Sequence, residues 1–291
     1  MRILFFNYEY PPLGGGAANA TSYILREFSK ISELEVDLVT SAVGEKYELE
    51  TIGENIKIHK LPIGKNSKNL HYQSQKDLLV YVWRAYFFSR KLIRENSPPH
   101  LLNPKNNKLF ELFYEIITPK SIKNLSVNRC GGKYDLSHSF FSVPCGFLSH
   151  IYYGWYKIPY IVSLRGADVP GYSDRFPLIY KILTPLIRHI WNKAAAVVSN
   201  SEGLKELALK TNPRQEIGII PNGIDIEQFR PSTEHRAQNR EFKIICISRL
   251  TARKGFNYLI DAVAKIAGKY PDLSLEIVGE GDAKEELEKQ A

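Results

Sequence analysis

Cysteine is scarce in this chain, and the three that occur, Cys130, Cys145 and Cys246, form an odd set with no C-x-x-C pair. Neither a disulfide framework nor a zinc site is indicated, and a reducing compartment follows as the default. The N-terminus lacks the apolar core of a secretory leader, since the short run Met1 to Tyr8 ends at Glu9 and two prolines. A membrane span is also missing. Residues Leu136 to Tyr156 carry no Asp, Glu, Lys or Arg, but Pro144, Gly146, Gly154, four serines and two histidines interrupt them. That stretch reads as a buried strand followed by a helix. No internal repeat or clean low-complexity tract stands out.

What is present suits a globular protein. The 291 residues are 44% hydrophobic and 12% aromatic, enough for a large core and for two domains, or one domain and part of a second. The 39 Lys+Arg against 31 Asp+Glu give a net charge of +8, which favours anionic partners without choosing among them.

Apolar runs alternate with helical patterns along the chain, the signature of a parallel sheet covered by helices. Strands are expected at Ile3–Phe6, Val36–Thr40, Ile56–Leu61, Tyr134–Phe140, Tyr160–Leu164, Ala194–Ser199 and Ile217–Ile220, with a helix over Asn19–Ser32. They define a first, doubly wound domain over residues 1–225. Residues 226–241, polar and aperiodic from Pro231 to Arg240, read as a linker. A second unit over 242–291 shows strand Lys243–Ser248, helix Phe256–Tyr270, strand Leu273–Val278 and a helix from Asp282. A doubly wound domain wants at least about five strands, so the second domain is expected to be incomplete. Residues 97–129 are the least readable.

Several local features point to anion binding. Pro11-Pro12-Leu13-Gly14-Gly15-Gly16 lies between the first strand and the first helix, where bare backbone and a helix N-terminus can receive a phosphate or carboxylate. A tight turn without a ligand is the alternative. A dinucleotide fingerprint would need glycine where Asn19 stands and an acid where Thr40 and Ser41 stand, so a nicotinamide cofactor is not expected. Arg249 and Lys254, with Arg253 between them, follow the first strand of the second unit, where ligands of open parallel sheets collect. A solvated basic loop reads equally well. Val278-Gly279-Glu280-Gly281-Asp282 closes the next strand in the same way. Arg165-Gly166-Ala167-Asp168 ends the strand Tyr160–Leu164, and there Arg165 and Asp168 pair with one another or face a cleft. A helix over Asp77–Glu95 carries Arg84, Arg90, Lys91 and Arg94 beside many aromatics. It suits either a core helix or an anionic membrane surface.

Taken together, these segments resemble glycosyltransferase family 4, the group 1 glycosyltransferases of GT-B fold. The resemblance runs through Arg2–Glu27, Tyr134–Lys210, Pro221-Asn222-Gly223-Ile224-Asp225 with Phe229 and Pro231, and Ile247–Gly281 with its S-R-L-x-x-x-K-G pattern. It implies an enzyme built from two Rossmann-like domains. Such an enzyme would transfer a sugar, with retention of configuration and no required metal, from a nucleotide-diphosphate sugar to a glycan, lipid-linked or small-molecule acceptor. No D-x-D of the metal-dependent type occurs. By resemblance, Arg249 and Lys254 hold the donor diphosphate, Gly14, Gly15 and Gly16 let sugar and diphosphate approach, and Gly279 and Gly281 lie near the base. Arg165 and Asp168 are the candidate catalytic residues. Arg165 stands where many members have histidine, and a permanent cation there would hold a phosphate or an acidic acceptor rather than act as a base. The family's later pair of glutamates is not in this sequence, so weak or no turnover is expected of the chain itself. A cytoplasmic setting is expected, peripheral at the inner membrane face, with no nucleic-acid partner. A non-catalytic acceptor- or partner-binding fragment and a sugar-nucleotide epimerase are the alternatives.

Overall fold

The computed structural model describes residues 1–66, 70–71, 73–95, 134–172, 177–229 and 242–291. The chain divides into two compact units, Met1–Asp225 and Ile226–Ala291. The expected stretch 97–129, and residues 230–241 of the expected linker, lie outside the described residues.

In the first unit the strands are β1 (Arg2–Phe6), β2 (Glu35–Ala42), β3 (Glu48–Ile52), β4 (Ile56–Pro62), β5 (Leu136–Phe140), β6 (Tyr160–Leu164), β7 (Ala196–Ser199) and β8 (Gly218–Ile219). Among the described residues they form one sheet in the order β3-β4-β2-β1-β5-β6-β7-β8, parallel throughout except for β3 against β4. The helices are α1 (Gly16–Phe28), α2 (Gln75–Glu95), α3 (Phe147–Tyr156), α4 (Pro177–Lys193) and α5 (Glu202–Thr211).

The central strands are buried on both faces. All five residues of β6, Tyr-Ile-Val-Ser-Leu, are buried, as parallel strands covered by helices require. Phe5, Phe6 and Phe140 are fully enclosed, and each such side chain contributes roughly 1.5–3 kcal/mol by leaving water. Helix α2 opens with reciprocal capping: the Ser74 amide donates to Asp77 Oδ2 (2.9 Å) and the Asp77 amide to Ser74 Oγ (3.2 Å). Its Tyr81, Ala85 and Ile93 turn inward.

Strand order reverses direction between β1 and β5, which makes the carboxyl ends of those two strands the topological switch point. The second unit holds β9 (Phe242–Ile247) and β10 (Leu273–Val278), paired in parallel, with α6 (Phe256–Ala267) and α7 (Lys284–Gln290). Phe256 and Ile260 of α6 are buried, whereas Ile245 and Ile247 of β9 are exposed.

Candidate functional site

The glycine loop leaves β1 at the switch point and is braced from three directions. Asn7 Nδ2 donates to Thr21 Oγ1 in α1 (2.7 Å), Gln73 Nε2 donates to the Tyr8 carbonyl (2.9 Å), and the Gly14 amide donates to the Leu70 carbonyl (2.8 Å). The His71 ring nitrogen Nδ1 lies 2.9 Å from the Gly14 carbonyl. Gly14 has φ +92°, and a Cβ there would lie 2.6 Å from Glu9 Oε2, so glycine is required for the turn itself. At Gly15 and Gly16 an added Cβ would meet nothing within 4 Å. Gly15 is the N-cap of α1 and gives the first amides of the helix no side-chain hydrogen bond.

The three glycines therefore divide into one turn residue and two open positions. Gly14→Ala is expected to cost about 1–2 kcal/mol of stability, because alanine resists positive φ. Gly15→Ala is expected to leave the melting temperature nearly unchanged while reducing turnover. Thermal melts paired with transfer assays check both. A Gly15 variant that loses stability and turnover in parallel would make it a turn glycine as well.

Next to this loop, β5 ends in an unusual turn. Phe141 has φ +70°, a conformation bulky residues rarely adopt, and stacks on Tyr8 with ring centroids 4.7 Å apart. Ser142–Gly146 then form a wide turn leading into α3, closed by the Gly146 amide donating to the Phe141 carbonyl (2.9 Å) and with Val143 in an extended conformation.

Arg165 leaves the end of β6. Its guanidinium lies 3.4 Å above the centroid of the Phe140 ring and donates from Nη1 to Asn222 Oδ1 (2.7 Å), while its Nε is buried without a hydrogen-bond partner. Burial pushes its pKa down to about 10, with the charge of Asp168 opposing the shift, so it remains a cation at neutral pH. Burial, and secondarily Arg165, push His138 in β5 down to about 3, so that imidazole is neutral. It stacks on Phe5 and lies 2.8 Å from Ser163 Oγ. A cavity of about 370 Å³ beside Arg165 is lined by Tyr172, Asn200, Ser201 and the first turn of α5.

Asp168 does something other than the sequence led us to expect. Its Oδ1 accepts the amides of Arg165 (3.0 Å) and Gly166 (3.1 Å), and its Oδ2 accepts the amide (2.7 Å) and hydroxyl (2.9 Å) of Ser142. Ser142 Oγ in turn accepts from Trp191 Nε1 at 2.8 Å. A carboxylate has about four acceptor positions, and here all are occupied in a buried setting. Asp168 thus ties the end of β6 to the turn after β5. Among the described residues, the Arg165 guanidinium contacts Asn222 and Phe140 and makes no salt bridge with Asp168.

In the second unit, Arg249, Arg253 and Lys254 are exposed after β9, and a short 3₁₀ turn, Ala252–Lys254, precedes α6. The glycines after β10 have a packing reason of their own. The two strand-end segments run side by side, with the Ser248 amide donating to the Val278 carbonyl (3.1 Å) and the Leu250 amide to the Glu280 carbonyl (2.9 Å). A Cβ on Gly279 would stand 1.9 Å from the Ser248 oxygen, and one on Gly281 2.0 Å from the Leu250 oxygen. Backbone approach alone therefore demands glycine at both.

Sequence reasoning missed Phe141, Ser142, Tyr172, Asn200 and Ser201. Asn222 was in view as part of the P-N-G-I-D segment, but nothing local marked it as the partner of Arg165.

A family model described as Glycosyltransferase Family 4 matches residues 14–228, and one described as Glycosyl transferases group 1 matches residues 227–291. A GDP-mannose-dependent alpha-(1-6)-phosphatidylinositol monomannoside mannosyltransferase of Mycolicibacterium smegmatis is 33% identical over 139 residues, 45% of this chain and 35% of that protein. A phosphatidyl-myo-inositol mannosyltransferase of Mycobacterium tuberculosis is 38% identical over 66 residues, 22% of this chain and 18% of that protein. The matched regions thus span about a third or less of these relatives. Among solved structures, an alpha,alpha-trehalose-phosphate synthase (UDP-forming) of Burkholderia xenovorans in complex with glucose-6-phosphate aligns with a TM-score of 0.56 at 12% identity, over 100% of this chain and 70% of that one. The synthase of Burkholderia multivorans gives 0.53 at 10%, over 99% and 67%. At such identities the likeness concerns the fold, and it supports the expected GT-B-like α/β class.

Proposed function

Since the chain belongs to glycosyltransferase family 4, continued by a group 1 glycosyltransferase segment, we propose that it serves sugar transfer, with retention of configuration, from a nucleotide-diphosphate sugar to an acceptor bearing a phosphate on a lipid. Departure of the nucleoside diphosphate builds negative charge, which Arg249 and Lys254 would meet as fixed cations without a metal. Gly15 and Gly16 would give sugar and diphosphate access to bare backbone. Gly279 and Gly281 would stand near the base, beside their packing role.

The observation that carries the acceptor assignment is Arg165. Its guanidinium is fixed by Asn222 and Phe140, and it borders a cavity at the carboxyl ends of the parallel strands. A desolvated cation in that position favours an anionic group, and the Mycolicibacterium relative is named for a phosphatidylinositol-based acceptor. Asp168 contributes by holding the Arg165 loop. A lipid acceptor would be met at the cytoplasmic face of a membrane. Among the described residues, no helix is long and apolar enough to cross one.

The test is an assay of the protein with a panel of nucleotide sugars, following nucleoside diphosphate release and the anomeric configuration of the product. Phosphatidylinositol and myo-inositol are compared as acceptors, with and without a chelator. A chelator should leave the rate unchanged. Arg165→Gln is expected to raise KM for the phosphate-bearing acceptor about 10- to 100-fold, the scale of one charge-assisted hydrogen bond, with a smaller effect on the neutral acceptor. Arg165→Lys should restore little, because a point charge replaces a planar fork. Equal losses on both acceptors would contradict the assignment.

A further inference from the structure

Helix α2 carries an apolar stripe that faces away from the core. Leu79 is 71% exposed, Trp83 67% and Phe87 47%, at successive spacings of four residues. With about 100° of rotation per residue, these three side chains fall within an arc of about 80°. Lys76, Arg90 and Arg94 fall inside the same arc, whereas Asp77 lies about 80° beyond its edge. Exposed Arg84 and Lys91 border the stripe on one side. The patch continues onto α3, where Trp155 is 57% exposed, lies 5.8 Å from Tyr86 between ring centroids, and has Arg90 stacked 5.5 Å above its ring. The inward face, by contrast, is fully used by Tyr81, Ala85, Ser89 and Ile93.

We propose that this face of α2, extended by Trp155, docks the protein on an anionic lipid surface. The occupant follows from the mixture of side chains. Two tryptophans, a phenylalanine and a leucine offer apolar bodies to the headgroup and acyl boundary, and only positive charges are interleaved with them. A neutral partner groove would match the rings and leave the cations unpaired. The bilayer boundary takes both, because aromatic rings enter it while Lys and Arg reach anionic headgroups. For its biological sense the inference rests on a lipid-linked acceptor. Its measurement needs neither donor nor acceptor, so it fails or stands independently of the transfer reaction.

The experiment is co-sedimentation of the protein with vesicles of phosphatidylcholine alone and of phosphatidylcholine mixed with phosphatidylglycerol, together with tryptophan emission. Binding is expected mainly to the anionic vesicles, with a blue shift of emission. Lys76→Gln and Arg94→Gln should each weaken it about fivefold. The double variant Leu79→Ser with Trp83→Ser should weaken it at least about tenfold and remove most of the blue shift, with an unchanged melting temperature because both side chains are exposed. Equal binding to neutral vesicles, or none to either, would overturn the proposal. So would self-association abolished by the Trp83 variant without vesicle binding, which would assign the face to a second copy of the chain.

Discussion

Replacing Asp168 by alanine is expected to lower the melting temperature of the first unit by on the order of 10 °C, and to abolish transfer by the same event. Four donors, the amides of Ser142, Arg165 and Gly166 and the Ser142 hydroxyl, converge on this one carboxylate. Each buried donor left without an acceptor costs about 1–3 kcal/mol. The four costs do not add fully, and water entering the gap offsets part, so about 3–5 kcal/mol is the expected total. At about 2–4 °C per kcal/mol for a unit of this size, the shift is large enough to measure without ambiguity. Asp168→Asn should recover less than half. Its amide oxygen still accepts one pair of donors, while its NH₂ opposes the other pair. A catalytic carboxylate would behave otherwise, losing turnover in both variants with little change in melting. Differential scanning calorimetry beside an activity assay distinguishes the two.

That outcome bears on how far the sequence can be read. Strands β6 and β10 match their expected limits to the residue: β6 is a mainly apolar run and β10 alternates apolar with polar residues, and turn residues bound both. Strand β3 was not expected at all. It is an antiparallel edge strand with no buried residue, its Leu49 exposed and its Glu50 paired with Lys60, so no core-facing apolar run marks it. At Ser142–Gly146 the sequence marks an interruption with Pro144 and Gly146 but not the form of the turn. The turn is held by contacts with Asp168 and Trp191, which are remote in the sequence.

The candidate site divides along the same line. The placement of Arg165 and of the glycine loop at strand ends was legible. The role of Asp168 was not, because a spacing of three from an arginine looks like an ion pair, while the carboxylate here serves backbone amides and Ser142. Glycine at positions 279 and 281 was legible as a need for close approach. What approaches includes the neighbouring backbone of Ser248 and Leu250.

The central claim is that a nucleoside diphosphate is bound by two fixed cations following β9. Arg249 and Lys254 are the residues in question, both exposed at the carboxyl end of that strand. Each charge-assisted contact to a diphosphate is worth about 1.5–3 kcal/mol, or about 10- to 150-fold in affinity. Binding should also weaken as salt is raised, as expected for contacts in partly solvated surroundings. Calorimetric titration of UDP and GDP against the protein, Arg249→Ala and Lys254→Ala measures this directly. The account predicts binding of at least one nucleotide, with affinity reduced about tenfold or more in each variant. Nucleotide affinity unchanged in both variants would contradict it.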